Sequence, residues 1–162
     1  MTPAEVRALR LAGRHDDHVV AARALVLDHP ADVLAQLEAA YGHDRLGAER
    51  TAILHYDAAF QLGVPADERR RFLVGYGSTL RNVGRVDDAV AVLAQAIADD
   101  PGYPAFAAFL ALALADAGQL RAALAAMLGC ALDAARPGVF DGYERALGEY
   151  HRALLDATLS ST

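Results

Sequence analysis

Residues 70–103 form the most informative segment of the chain, with the sequence RRFLVGYGSTLRNVGRVDDAVAVLAQAIADDPGY. Apolar and small residues recur at the three- and four-residue spacing of one helix face on both sides of Gly84. They are Leu73, Tyr76, Gly77 and Leu80 before it, and Ala89, Leu93 and Ala96 after it. We therefore predict two antiparallel helices joined at Gly84, where glycine can take positive φ and end the first helix.

The turn glycine recurs along the chain with similar neighbours. The four positions are Gly13, Gly47, Gly84 and Gly118, at successive spacings of 34, 37 and 34 residues. Prolines and aspartates mark the outer boundaries of each pair of helical patterns, because proline stops one helix and favours the start of the next. The sequence thus predicts nine helices, approximately at residues 3–12, 16–28, 31–45, 48–62, 67–82, 86–99, 103–116, 120–135 and 140–158.

A helix–turn–helix unit of 34 residues with this pattern resembles the tetratricopeptide repeat. Residues 70–103 match the family pattern best, with leucine where the family often has an aromatic residue. Residues 33–66 fit through Ala39, Ala40, Gly47, Ala52, Tyr56 and Ala59. The resemblance implies an all-α fold, an α-α superhelix of about three to four repeats plus a C-terminal capping helix. The alanine- and arginine-rich composition without lysine suggests a short bacterial, actinobacterial-like member of the family.

The repeat divides a single predicted domain, residues 1–162, into five parts. These are a degenerate repeat or N-terminal hairpin at 1–32, repeats at 33–66, 70–103 and 104–136, and a capping helix at 139–159. The capping helix carries an apolar stripe consisting of Phe140, Tyr143, Leu147, Tyr150 and Leu154. Asp141 and Glu144 stand three residues apart at its start, which resembles a capping box.

Composition excludes several classes of function. The 15 basic residues are all arginine, so the lysine of a phosphate-binding loop and a Schiff-base nucleophile are both absent. A net charge of -6 argues against general nucleic-acid binding. The most apolar stretch, residues 106–115, is shorter than the roughly 20 residues that cross a bilayer. With no signal-peptide pattern and one cysteine, the cytoplasm is the expected compartment.

The family resemblance implies that the first helix of each pair lines a concave groove that binds a protein or peptide partner. The predicted groove residues are Arg7, Arg10, Tyr41, Asp44, Arg45, Arg71, Val74, Ser78, Arg81, Asn82, Leu112 and Asp116. Arginines gather in the first units, which would suit an acidic segment of the partner. The family's carboxylate clamp is not recognisable, because its lysines are missing. The alternative interpretation is that the arginines form a solvated face.

Two other functions remain open from the sequence. Exposed apolar residues of the terminal repeats, namely Phe106, Phe109, Tyr143 and Tyr150, would support a symmetric homodimer. His15 and His18 would support a metal-dependent hydrolase, although an acidic helix start explains that segment better. The sequence therefore predicts a non-catalytic scaffold with no catalytic residue, no metal site and no cofactor.

Four further residues receive structural interpretations. Cys130 occupies a position that holds a small buried alanine in other units, which predicts an inert core thiol. His43 is predicted to be a core or turn residue, and His55 an exposed helix residue. Gly77 is predicted to serve close helix packing, since no strand precedes it as a phosphate-binding loop would require.

Overall fold

A computed structural model describes residues 1–159, and for residue 159 it describes the backbone only. Within these residues the chain forms nine α-helices and no strand. They are α1 Pro3–Leu11, α2 His15–Asp28, α3 Val33–Arg45, α4 Glu49–Leu62, α5 Arg69–Asn82, α6 Val86–Asp99, α7 Pro104–Asp116, α8 Leu120–Ala134 and α9 Glu144–Leu159. Eight of the predicted helices are confirmed to within two residues at each end.

The ninth helix begins four residues later than predicted. Asp141 has a φ of 50° and lies in a turn, so it does not cap the helix and the predicted capping box is wrong. The Glu144 carboxylate instead accepts a hydrogen bond from the backbone N–H of Phe140 at 3.3 Å. A complete capping box lies at the other end of the chain, where Thr2 caps α1 and the Glu5 carboxylate accepts the backbone N–H of Thr2 at 2.7 Å.

The four recurring glycines occupy equivalent turns, as the sequence predicts. Each follows the first helix of a pair and has a positive φ, between 70° at Gly47 and 86° at Gly84. At Gly118 the glycine N–H donates to Ala115 O at 3.0 Å, and the N–H of Gln119 donates to Leu114 O at 2.9 Å. The same two bonds recur at Gly13 and Gly47. This is the Schellman arrangement, which satisfies the last carbonyl groups of the helix.

Replacing Gly118 with alanine is expected to lower the free energy of unfolding by roughly 1–2 kcal/mol, because an L-residue is strained at positive φ. An added Cβ would meet no atom within 4 Å, so the cost is in the backbone alone. Gly148 lies inside α9 with the same open space, and its replacement by alanine is expected to stabilise by roughly 0.5–1 kcal/mol. Urea unfolding of both variants tests the contrast. Equal effects in the two variants would contradict it.

The chain divides into two compact units at residue 83, the first with helices α1–α5 and the second with α6–α9. In the first unit the first helices of successive pairs touch, since α3 contacts both α1 and α5. Small residues make this approach possible; Ala35 and Ala39 of α3 are buried with Val6 and Ala22 in one cluster.

Aromatic side chains fill the other part of the first unit's core. Phe72 is fully buried and its ring lies 5.8 Å from that of Tyr56 and 5.3 Å from that of Tyr76. The sequence predicted Leu73 on this core face, but Leu73 is only half-buried. Helix α5 therefore turns the adjacent, larger Phe72 into the core in place of Leu73.

In the second unit, Leu93 and Phe106 are fully buried. The burial of Phe106 contradicts its predicted role as an exposed contact for a homodimer. Cys130 is half-buried rather than part of the core, and its Sγ–H donates to the carbonyl oxygen of Pro104 at 3.3 Å. The prediction that Cys130 belongs to the core is thus wrong.

The capping helix turns inward only part of the stripe that the sequence predicts. His151 packs against Gly129 of α8, where an added Cβ would lie 2.9 Å from the imidazole Nε2. Leu147 and Leu154 are half-buried beside it, whereas Tyr143 and Tyr150 remain 69% and 66% exposed. The predicted stripe is thus split between a half-buried side, with Leu147 and Leu154, and an exposed edge, with Tyr143 and Tyr150.

Candidate functional site

A buried ionic cluster joins the first three helices. The Glu38 carboxylate accepts hydrogen bonds from Arg10 Nε at 2.8 Å and Arg10 Nη2 at 2.9 Å, and from His18 Nε2 at 2.9 Å. Burial opposes ionisation of Glu38, but the hydrogen bonds from Arg10 and His18 outweigh it and hold the pKa of its carboxyl below the usual range. Glu38 is therefore ionised, and His18 Nε2 carries the proton that it donates. The cluster fixes α1 and α2 against α3.

A second buried carboxylate, Glu68, lies immediately before α5. Its carboxylate forms an ion pair with Arg7 at 2.8 Å and accepts a hydrogen bond from the Tyr41 hydroxyl at 3.2 Å. Burial and the nearby Glu68 charge raise the pKa of Tyr41, so its hydroxyl stays protonated as a donor. Arg7 and Arg10, both predicted groove residues, thus already bind carboxylates of their own chain.

All five helices of the first unit contribute to a pocket of about 510 Å³, called the arginine pocket below. Its lining residues are Arg10, Leu11, His15, Tyr41, Asp44, Arg45, Tyr56, Arg71, Val74 and Gly75. Six of these were predicted as groove residues: Arg10, Tyr41, Asp44, Arg45, Arg71 and Val74. The volume falls within the range of roughly 300–1,000 Å³ that is typical of ligand pockets.

The remaining predicted groove residues lie elsewhere. Ser78 and Arg81 are half-buried further along α5, and Asn82 Nδ2 donates to the Glu49 carboxylate at 3.3 Å. Arg7 pairs with Glu68, as described above. Leu112 and Asp116 are exposed on α7 in the second unit.

Two arginines of the arginine pocket keep their positive charge uncompensated. The Arg45 Nε–H donates to His15 Nε2 at 3.0 Å, and the Arg71 guanidinium lies over the Tyr41 ring, 5.2 Å from its centroid. Among residues 1–159, no carboxylate forms an ion pair with either arginine. The pocket therefore presents two cations whose partners are neutral rings.

Asp44 supplies a negative charge in the same pocket. Its carboxylate accepts hydrogen bonds from the Tyr56 hydroxyl at 3.1 Å and the Thr79 hydroxyl at 3.3 Å. Burial raises the pKa of Asp44 in spite of these bonds. Gly75 allows the arrangement, because an added Cβ at this position would overlap the Tyr56 hydroxyl. Gly75 and Tyr56 belong to different helices, so the sequence gave no sign that they lie against each other.

Comparisons with known proteins identify the family. A family model described as "Tetratrico peptide repeat" matches residues 33–154. The chain belongs to the tetratricopeptide repeat family. A solved structure described as "MamA RS-1 ArsTM double mutant" has a TM-score of 0.69 and 15% sequence identity, over 98% of this chain and 92% of that chain. No curated protein sequence matches the chain.

The family match and the structural likeness confirm the predicted fold class, an all-α protein of the α-α superhelix type. At this low identity the likeness to the MamA structure concerns the fold alone. Tetratricopeptide repeats generally mediate protein–protein interactions, which agrees with the predicted function in its general form. Within the described residues, none of the helices combines the length and apolar character that a membrane-spanning segment requires.

His15 and His18, the two candidate metal ligands of this tetratricopeptide repeat chain, bind different partners. His18 is fully buried and bonds to Glu38, whereas His15 Nε2 accepts from Arg45. In residues 1–159, no group of three or more His, Cys, Asp or Glu side chains is placed to hold a metal ion. The hydrolase interpretation thus gains no support from the positions of His15 and His18.

His43 and His55 stack on each other across α3 and α4, with ring centroids 5.6 Å apart and an interplanar angle of 6°. His55 is half-buried, so its prediction as an exposed residue is wrong. Gln36 fixes its tautomer: the Gln36 amide nitrogen donates to the Pro30 carbonyl at 2.8 Å, which leaves the amide oxygen to accept from His55 Nδ1–H, also at 2.8 Å.

This histidine pair predicts a loss of stability in mild acid. Burial lowers the pKa of both residues below the ordinary value of 6.5, with a further lowering of the His55 pKa by His43 and of the His43 pKa by Arg23. The unfolded chain therefore binds protons more readily than the folded chain. The contribution of the histidine pair to the free energy of unfolding is fully present above pH 6.5. It is lost as the pH falls through the lowered pKa values of the two residues.

Urea unfolding at pH 7.5 and pH 5.5 measures this effect. The double variant His43→Gln, His55→Gln is expected to lose less stability than the wild type between the two pH values. The exposed His29 provides the control, and His29→Gln is expected to behave like the wild type. If the stability of the double variant depended on pH as that of the wild type does, the histidine pair would not cause the loss of stability in acid.

Proposed function

We propose that this tetratricopeptide repeat chain is a non-catalytic adaptor that binds a protein or peptide partner in the arginine pocket, through an acidic group of the partner. The observation that carries the proposal is that Arg45 and Arg71 face a pocket of about 510 Å³ without a carboxylate partner within the described residues. Arginine binds carboxylates with charge-assisted, often bidentate hydrogen bonds. No cofactor forms part of the proposal, and the cytoplasm is the proposed compartment.

Arg10 adds a second support for an acidic group. Its side chain is more than nine-tenths buried, and two of its three guanidinium nitrogens bind Glu38. The third, Nη1, is buried without a hydrogen-bond partner in the part of the chain that the structure describes. Leaving a buried charged donor unsatisfied is costly. Arg10 lines the pocket, so a small movement of its side chain would bring Nη1 to an acceptor supplied by a partner.

The solvated-face interpretation is weakened for this group of arginines. Arg71 and Arg10 both lie over the Tyr41 ring, at 5.2 Å and 5.1 Å from its centroid. Stacking on an aromatic ring reduces the conformational freedom of a guanidinium before a ligand arrives. A pre-organised arginine loses less entropy on binding, as a recognition site requires.

Binding of the capped peptide acetyl-Gly-Glu-Glu-Gly-amide, followed by calorimetry at low salt, tests the proposal. The double variant Arg45→Gln, Arg71→Gln is expected to bind the peptide at least about tenfold more weakly, since each lost charge-assisted bond is worth about 1.5–3 kcal/mol. Arg50 is exposed on α4 outside the pocket, and Arg50→Gln serves as the control with unchanged affinity. Equal binding by the double variant and the control would refute the pocket as the site.

Self-association remains a second candidate function, and it rests on the exposure of Tyr143 and Tyr150 on α9. Exposed aromatic residues on a terminal helix favour an interface between copies of the chain. Light scattering at micromolar concentration distinguishes the two functions. A monomer under these conditions would count against self-association as the main role.

A further inference from the structure

The charges in the arginine pocket are separated by sign rather than paired with one another. Arg45 donates a hydrogen bond to the His15 ring, and Arg71 lies over the Tyr41 ring. Asp44 accepts hydrogen bonds from two neutral hydroxyl groups. No arginine or histidine among residues 1–159 forms an ion pair with Asp44. The same pocket thus offers a site for an anion and a site for a cation.

The Asp44 carboxylate has capacity for a further ligand. Each of its two oxygens accepts one hydrogen bond, Oδ2 from Tyr56 and Oδ1 from Thr79. An ionised carboxylate has about four acceptor positions, so about two remain open. Arg10, the other cation of the pocket, is committed to Glu38 and does not neutralise Asp44.

The energetic cost of this carboxylate also points to a cationic ligand. Asp44 is partly removed from water, and the nearby Glu49 charge adds to the burial that opposes its ionisation. Charges that are removed from water are normally paired, because unpaired burial is unfavourable. The hydroxyl groups of Tyr56 and Thr79 hold the carboxylate in place but bring no opposite charge.

We propose that the arginine pocket recognises a bipolar group, with a cationic nitrogen at Asp44 and a carboxylate at Arg45 and Arg71. This inference rests on the proposed function and adds the cationic half to it. Two sources supply such a group: adjacent basic and acidic side chains of a peptide, or the ammonium and carboxylate of a free amino acid. Leu11 and Val74 provide apolar contact for the carbon atoms between the two charges.

Calorimetry with three probes tests the inference. The bipolar peptide acetyl-Gly-Arg-Glu-Gly-amide is expected to bind about tenfold more tightly than acetyl-Gly-Gln-Glu-Gly-amide, the value of one added charge-assisted contact. Free leucine, a zwitterion with an apolar side chain, distinguishes the sources. Binding of leucine as tight as that of the bipolar peptide would identify a free amino acid, and binding of the peptide alone would identify a peptide segment.

The variant Asp44→Asn is expected to abolish the preference for the bipolar peptide over the Gln-Glu peptide. Asp16→Asn removes an exposed carboxylate outside the pocket and is expected to keep the preference. If the wild type binds the two peptides equally, the bipolar inference is wrong while arginine-dependent binding still supports the adaptor. If the wild type binds neither, the proposed function fails as well. The wild-type comparison decides the matter even where Asp44→Asn unfolds.

Discussion

Replacing Glu38 with alanine is expected to lower the free energy of unfolding by about 3–5 kcal/mol. The substitution leaves the Arg10 guanidinium buried without its carboxylate and deprives His18 of its acceptor. Removing one partner of a buried pair costs far more than the pair contributes, because the remaining charge keeps its desolvation penalty. Urea unfolding, monitored by far-ultraviolet circular dichroism, measures the loss.

An exposed pair of the same chemistry provides the matched control. Arg14 and Asp17 form an ion pair at 2.8 Å, but their side chains are 62% and 57% exposed, against 7% and 6% for Arg10 and Glu38. Asp17→Ala is therefore expected to cost less than about 1 kcal/mol. A Glu38→Ala effect no larger than that of Asp17→Ala would contradict the buried cluster.

A compensating variant separates charge burial from loss of packing. The double variant Arg10→Leu, Glu38→Gln removes both charges and keeps an amide oxygen that can accept from His18 Nε2. It is expected to recover most of the stability that Glu38→Ala loses, since replacing a whole buried pair is often nearly neutral. A double variant that is as unstable as Glu38→Ala would show that packing, not the uncompensated charge, causes the loss.

Replacing Phe106 with alanine is expected to cost about 3–5 kcal/mol, the range for deleting a buried aromatic ring. Phe106 is 1% exposed in the core of the second unit, where its ring meets that of Tyr103 edge-on at 4.9 Å. The cavity left by the ring removes contacts that the surrounding helices cannot restore. Thermal and urea unfolding measure the effect.

Leu112 lies on the same helix, α7, and is 43% exposed, so Leu112→Ala is expected to cost less than about 1 kcal/mol. This contrast also tests the sequence-based assignment of Phe106 to a homodimer contact. A dimer contact would leave the stability of the monomer unchanged and would weaken association instead. A Phe106→Ala protein that unfolds like the wild type would therefore restore that assignment.

Local chemistry made the helices and turns predictable. A glycine at positive φ, a proline at a helix start and a three-to-four-residue apolar spacing act within a few residues, so Gly118 and its equivalents could be identified without coordinates. The start of α9 was missed because Asp141 and Glu144 have the right spacing for a cap, while Asp141 actually has a left-handed conformation in a turn. Spacing alone does not report backbone conformation.

The candidate site was predictable only in part. Arg45 and Arg71 were named because the family places first helices around a groove, and both line the arginine pocket. Arg10 was named for the same reason, but Glu38, 28 residues later, already binds it. Tyr56 was identified only as a position that matches the repeat pattern, and its hydroxyl proves to hold Asp44 in the pocket wall.

Paired helices with glycine turns could be predicted from the sequence, because those signals depend on neighbouring residues. Which charges are paired inside the protein and which remain unpaired at the arginine pocket depends on how the helices pack. Glu38 and Glu68 neutralise Arg10 and Arg7, whereas Arg45 and Arg71 meet no carboxylate in the described residues. The physical reason is that a charge is compensated by whatever lies within a few ångströms in space, and the pairing residues lie on different helices, far apart along the chain.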